Sequence, residues 1–262
     1  MTVAEPQPAR RSLLNVAYQE SRTEFLKALR MPAYSVPTIA FPVMFYLLFG
    51  VLFGGSAGTT SMSTYLLATY GAFGVIGAAF FGFGVGLAVE RGQGWMLLKQ
   101  ASPMPIWAIF LAKMVMSAIF AALIVAALFT VGLTLGDVEA STGQLLRLAG
   151  VLMIGTLPFC AFGLFLAYLC GPNSAPAVVN VIYLPMAFAS GLWIPIQMLP
   201  EWLQGFARFL PAYHLGQLGL RTFDAHAGDP LGLHVIYLVA FTCLFCFLAS
   251  ILMKRDQGKT YG

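Results

Sequence analysis

The chain has 262 residues, of which 59% are apolar and 9% charged, against roughly 45–50% and about 25% in an ordinary soluble domain. No soluble fold can hide that much apolar surface, so composition excludes a water-soluble enzyme or binding module and predicts an all-α integral membrane protein. The formal charge is +4, from 14 Lys and Arg against 10 Asp and Glu, and those charges are nearly absent from the apolar runs.

The first predicted element is an N-terminal amphipathic interfacial helix over residues 11–31. Leu14, Tyr18, Phe25 and Leu29 fall on one helical stripe, interrupted at Ser21, with Glu20, Arg22 and Lys27 elsewhere around the helix. That is the pattern of a helix lying in a membrane interface. The basic stretch from Arg10 to Arg30 is long and mixed with acids, unlike a cleavable signal.

Six apolar runs follow, each near the roughly 20 residues needed to cross hydrocarbon. They cover residues 36–53, 65–89, 106–135 (with Lys113 near its start), 148–170, 177–194 and 233–253. The second carries Gly74, Ala78, Gly82 and Gly86 at a spacing of four, a small-residue ridge that predicts a helix-packing face. Pro37, Pro42, Pro158 and Pro185 interrupt spans, a kink that neighbouring helices can accommodate. Asn180 is the polar side chain nearest a span's middle and reads as a helix-to-helix hydrogen bond ahead of a substrate contact. No Asp or Glu falls within a span, which argues against an ion-coupled carrier.

Lys and Arg are retained on the cytoplasmic side during insertion. With both termini inside, six spans leave only Arg147, Arg208 and Arg221 of the 14 basic residues outside. The expected topology is therefore a multi-pass protein of a bacterial inner membrane with both termini cytoplasmic.

Between the fifth and last spans, Gly191 to Pro211 is too apolar for an exposed loop, yet Pro195, Pro200 and Pro211 cut it into pieces too short to cross. A short, broken re-entrant helical segment is predicted. Pro200-Glu201 reads as a helix start, and Trp193 and Trp202 suit a membrane interface.

Enzymatic signatures are missing. The sequence has no H-E-x-x-H, G-x-S-x-G or EF-hand loop. His214, His226 and His234 lack metal-ligand spacing and read as interfacial or solvated. Cys243 and Cys246 form a C-x-x-C inside an apolar run, where cysteine behaves as a small hydrophobe; Cys160 and Cys170 read the same way. Gly258-Lys259-Thr260 lacks the upstream glycine of a phosphate-binding loop. No cofactor, metal or catalytic residue is predicted, and uphill transport would need ATP hydrolysed by another polypeptide.

Two segments carry a family resemblance. Glu90-Arg91-Gly92, followed by Ala101-Ser102-Pro103 and Lys113, resembles the cytoplasmic loop after the second span of type-2 ATP-binding-cassette (ABC-2 type) transporter permeases. Gly191 through Pro195, Leu199-Pro200, Trp202, Pro211 and Arg221 resembles that family's C-terminal signature. Leu210 stands where Asn is common, and Gly92-Gln93-Gly94 replaces a more acidic run.

The resemblance implies a single transmembrane domain over residues 1–262 that works with a second permease subunit, as a homodimer or as a heterodimer with a similar subunit, in membrane lipid. Its partners would be two copies of a cytoplasmic ABC ATPase, and nucleic acid is not expected. Glu90, Arg91, Gly92, Ser102 and Pro103 would form the ATPase-coupling loop. Gly191, Pro195, Pro200, Trp202 and Pro211 would form an outer gate. The expected function is ATP-driven export of an amphipathic small molecule, drug or lipid. Export of lipid-linked polysaccharide and a non-transporting sensor or scaffold role are the alternatives.

Overall fold

Within a membrane, a chain can satisfy its backbone polar groups only by helix formation or barrel closure. The computed structural model, which describes residues 13–57, 60–101 and 104–256, is accordingly almost wholly helical. Five helices are long and apolar enough to cross a membrane: α2 (Pro32–Leu52), α3 (Met62–Gly92), α5 (Ile106–Thr134), α6 (Thr142–Leu169) and α10 (Leu231–Asp256). They are joined by α1 (Leu13–Leu29), α4 (Trp95–Ala101), α7 (Ala175–Ala189), α8 (Glu201–Ala207) and α9 (Pro211–Leu220). Between α2 and α3, two-residue strands Ser56–Ala57 and Thr60–Ser61 pair antiparallel.

The centre of the bundle is α3, whose residues from Ser63 to Gly77 are all buried. It touches α2, α5, α6 and α9. Small residues permit this crowding: a Cβ on Gly84 would stand 3.0 Å from the Gly163 Cα of α6, so the two backbones meet almost directly.

The predicted glycine ridge divides between neighbours. A Cβ on Gly74 would meet Ile124 at 2.5 Å and Pro42 at 3.1 Å, and one on Gly82 would meet the Tyr34 hydroxyl at 2.5 Å and Met116 at 3.2 Å. Ala78 is fully buried. Gly86 meets only a carbonyl of its own helix. The four do not share one contact, because Ala78–Val85 is π-helical and its wider turn rotates the later positions off the ridge.

The sequence placed a fifth span over 177–194, but α7 stops at Ala189. Gly191 has φ +72°, and the Gly191 and Leu192 amides donate to the Phe188 and Ala187 carbonyls at 3.0 and 3.1 Å. This left-handed cap satisfies the last carbonyls and turns the chain out of the helix. At 15 residues, α7 covers about 22 Å of the roughly 30 Å of hydrocarbon, so the fifth of the six expected spans is a short one.

The stretch from Gly191 to Pro211 is broken into short helical pieces, as expected. After a short 3₁₀ turn at Ile196–Met198 comes α8, then α9, which is not peripheral. All but one of its residues are buried, packed on α3, α6 and α10. The segment thus ends in a helix inserted into the bundle beside the short α7.

On α1, Ala17, Glu24 and Ala28 face inward against α5, while Leu14, Tyr18 and Leu29 are exposed. Arg11, at the start of the expected interfacial helix, lies outside the described residues, as does Gly258-Lys259-Thr260.

Candidate functional site

One end of the bundle gathers α1, the α3–α4–α5 connection, the α6–α7 turn and the end of α10, and a charged node ties them together. Lys113, eight residues into α5, is 1% exposed, and its Nζ lies 3.0 Å from both Glu24 Oε2 and Glu90 Oε1. Glu90 also pairs with Lys27. On α4, Lys99 Nζ reaches Glu20 at 2.6 Å, Glu24 at 2.9 Å and Glu90 at 3.8 Å. Three carboxylates and three ammonium groups from α1, α3, α4 and α5 therefore balance in a site largely shut from water. Buried charges persist only when paired in this way.

Burial alone would raise the Glu24 carboxyl, but the adjacent Lys113, Lys99 and Lys27 overcome it and hold the group at about 2. For Lys99, burial lowers the pKa, and the opposing hydrogen bond to Glu20 with the fields of Glu24 and Glu90 raises it above the usual lysine value. Glu24 and Lys99 are thus both held in their charged forms at neutral pH.

The three consecutive residues Glu90, Arg91 and Gly92 take different partners. Arg91 Nε donates to Asp256 Oδ2 at 2.8 Å, Nη1 donates to the Ala167 carbonyl, and the guanidinium lies 4.8 Å over the Tyr168 ring. It thereby joins α3 to the ends of α6 and α10. A Cβ on Gly92 would come within 2.3 Å of Pro172 in the α6–α7 turn. At about 100° of rotation per residue, three successive positions necessarily face three directions. Beyond them, Gln93, Trp95 and Leu98 are exposed, with Trp95 at 54% and Leu98 at 70%, while Met96 is buried. Ser102 and Pro103 lie outside the described residues.

Nearer the middle of the bundle, α2, α3 and α7 enclose a cavity of about 380 Å³. Its wall is aromatic, with Phe41, Phe45, Phe73, Phe81, Tyr183 and Trp193 prominent. Phe73 stacks on Tyr183 with centroids 4.8 Å apart, and Phe45 stacks on Trp193 at 5.9 Å. The Tyr183 hydroxyl donates to the Phe73 carbonyl at 2.7 Å, and Thr38 donates to the Tyr34 carbonyl at 2.6 Å. The Asn180 amide, exposed on the wall, has no hydrogen-bond partner among the described residues. Of the three phenylalanines in Phe80-Phe81-Gly82-Phe83, only Phe81 reaches this cavity; Phe80 and Phe83 are buried.

The Gly191–Pro211 segment seats against α3. The Tyr65 hydroxyl donates to the Gly191 carbonyl at 3.4 Å and accepts the Ile196 amide at 3.3 Å, and the Tyr70 hydroxyl donates to the Trp193 carbonyl at 3.3 Å. Pro195 precedes the 3₁₀ turn, while Pro200 and Leu210-Pro211 mark the starts of α8 and α9. Trp202 is exposed at 73%.

Sequence reasoning missed Glu20, Glu24 and Lys99 as members of the node around Lys113. It also placed two histidines wrongly. His214 and His234 are buried, with Nδ1 atoms 2.8 Å apart, and His214 Nε2 donates to the Arg208 carbonyl at 2.9 Å. Among the described residues no group of three or more His, Cys, Asp or Glu is arranged to hold a metal.

Sequence comparison agrees with this architecture. The profile described as ABC-2 type transporter matches residues 19–223. YvfS of Bacillus subtilis (strain 168), named as a transport permease, is 24% identical over 246 residues, covering 94% of this chain and 100% of that protein. YbhR of Escherichia coli (strain K12), named as a multidrug ABC transporter permease, is 28% identical over 129 residues, 49% of this chain and 35% of that protein.

Proposed function

The chain belongs to the ABC-2 type transporter family, and from that premise we propose that it is the membrane subunit of an ATP-driven exporter of small amphipathic molecules. A dimer of the permease would sit on two cytoplasmic ATPase subunits in a bacterial inner membrane. Both termini and the charged node would lie on the cytoplasmic side, with α1 on the inner leaflet. The observation that carries the cargo assignment is the aromatic cavity among α2, α3 and α7: its wall suits an apolar or aromatic body, and Asn180 supplies one uncommitted donor and acceptor. Such a site favours an amphiphile over a charged solute, because it offers no counter-charge.

Coupling follows from the node. Glu90 and Arg91 point into the bundle and Gly92 abuts Pro172, so among the described residues of this loop the surface left for the ATPase is Gln93 with the exposed Trp95 and Leu98 of α4. Force applied there reaches α1 and α5 through Lys99 and Glu90, and α6 and α10 through Arg91. The Gly191–Pro211 segment, held by Tyr65 and Tyr70 of α3, would act as the outer gate.

The test is transport in inverted membrane vesicles carrying the chain and its ATPase, with a fluorescent lipophilic amphiphile as probe. ATP-dependent accumulation is expected, with Asn180→Ala and Phe81→Ala each reducing it about tenfold, as the loss of one good contact would. Unchanged accumulation in both variants would remove the cavity from the path. Accumulation without any ATP dependence would remove the exporter reading.

A further inference from the structure

We propose that α6, α9 and α10 form a binding site for one anionic phospholipid, on a face separate from the aromatic cavity and independent of the cargo assignment. These helices border a groove of about 440 Å³, lined by Val151, Ile154, Pro158, Leu218, Val235 and Val239 among others. Its one hydroxyl, on Thr242, donates to the Leu238 carbonyl at 2.7 Å, so the groove offers a ligand essentially hydrocarbon alone. Several lining residues remain open to the surroundings: Ile154 is 70% exposed and Val239 56%.

Charge says what occupies it. Arg147, Val151, Ile154 and Pro158 follow one another at four, three and four residues along α6, a single helical stripe. Arg147 is exposed at the head of that stripe and pairs with no carboxylate among the described residues. The other two basic residues expected on this side are engaged with Asp229. Arg208 lies 3.9 Å from its carboxylate, Arg221 donates to its carbonyl at 2.9 Å, and Tyr213 donates to the same carboxylate at 2.7 Å. Arg147 is thus the cation left over, directly above an apolar slot.

The depth matches a lipid leaflet. With a rise of about 1.5 Å per residue, the stretch from Val151 to Pro158 lies roughly 6–17 Å along the axis from Arg147, about half of a hydrocarbon core of about 30 Å. A phosphate at Arg147 with an acyl chain laid along α6 and α10 fills both parts, and a guanidinium is the side chain best formed to grip phosphate oxygens. The lipid belongs to the leaflet at the end of the bundle away from the described chain ends.

Native mass spectrometry of the full chain released from detergent, with added dioleoyl phosphatidylglycerol or dioleoyl phosphatidylcholine, tests this. The expected result is one retained phosphatidylglycerol per chain, with phosphatidylcholine held more weakly. Arg147→Gln should reduce retention about tenfold, the loss of roughly one charge-assisted contact, and Arg147→Lys should restore part of it. Ile154→Trp, which fills the groove from an exposed position, should reduce it comparably. Both positions are solvent- or lipid-exposed, and unchanged thermal midpoints would show that the variants fold. Wild-type retention in Arg147→Gln, wild-type retention in Ile154→Trp, or equal retention of the two lipids would each overturn the site.

Discussion

Replacing Lys113 by Met is the sharpest test of the charged node. The ammonium group is 1% exposed and bridges Glu24 and Glu90 at 3.0 Å each. Its loss leaves three carboxylates facing two ammonium groups. Breaking a buried ion pair by removing one partner costs about 3–5 kcal/mol, because a charge is left uncompensated. Lys99 and the half-exposed Lys27 remain to share the excess, so a value near the lower end, about 3 kcal/mol, is expected. For a chain of this size that corresponds to a fall of roughly 6–12 °C in the thermal midpoint, measurable by intrinsic fluorescence of the detergent-solubilised chain. Adding Glu24→Gln restores neutrality, so the double variant should recover about 1–3 kcal/mol relative to the sum of the single changes. A midpoint within about 2 °C of wild type for Lys113→Met, or strict additivity in the double variant, would refute the node as a coupled buried network.

The same geometry makes two further predictions. Trp95→Asp and Leu98→Asp alter exposed positions on α4, so each should leave the thermal midpoint unchanged while reducing co-purification of the ATPase about tenfold; undiminished co-purification would move the docking surface elsewhere. Glu24 is held near 2 from an ordinary value of 4.5, so its pairing contributes fully above pH 4.5 and is lost as pH falls towards 2. The stability difference between wild type and Glu24→Gln should therefore shrink across that window, and a difference that instead vanishes between pH 8 and 6 would contradict the assignment.

How much of this was legible in the chain depended on the range of the interaction. The long apolar helices were readable because length and hydropathy alone decide whether a segment can cross. The end of α7 carried a local signal: Ser190-Gly191 after an apolar run is a helix C-cap pattern, and it outweighed the apolar residues beyond it. The burial of α9 was obscured by His214 and Gln217, which suggest an exposed helix until their partners are seen. Those partners are His234 and the Ala227 amide, the latter donating to Gln217 Oε1 at 2.7 Å. The charged node had only a partial signal. A lone lysine inside an apolar helix requires a counter-charge, but its carboxylates come from residues 24 and 90, and no local pattern names them.

That last gap bears on how a motif should be read. The family resemblance assigned Glu90 and Arg91 to the ATPase-coupling loop. Their side chains close the interior: one neutralises Lys113, the other binds the end of α10. Reversing Glu90 to Lys would add a fourth ammonium group to a site with two remaining carboxylates. Impaired ATPase association in that variant would then follow from a distorted bundle as readily as from a lost contact. Coupling is separated from packing by changing side chains that are largely exposed, and among the described residues of this loop those include Trp95 and Leu98 of α4. If Trp95→Asp uncouples hydrolysis from transport at an unchanged thermal midpoint, the charged residues transmit motion and the apolar ones receive it.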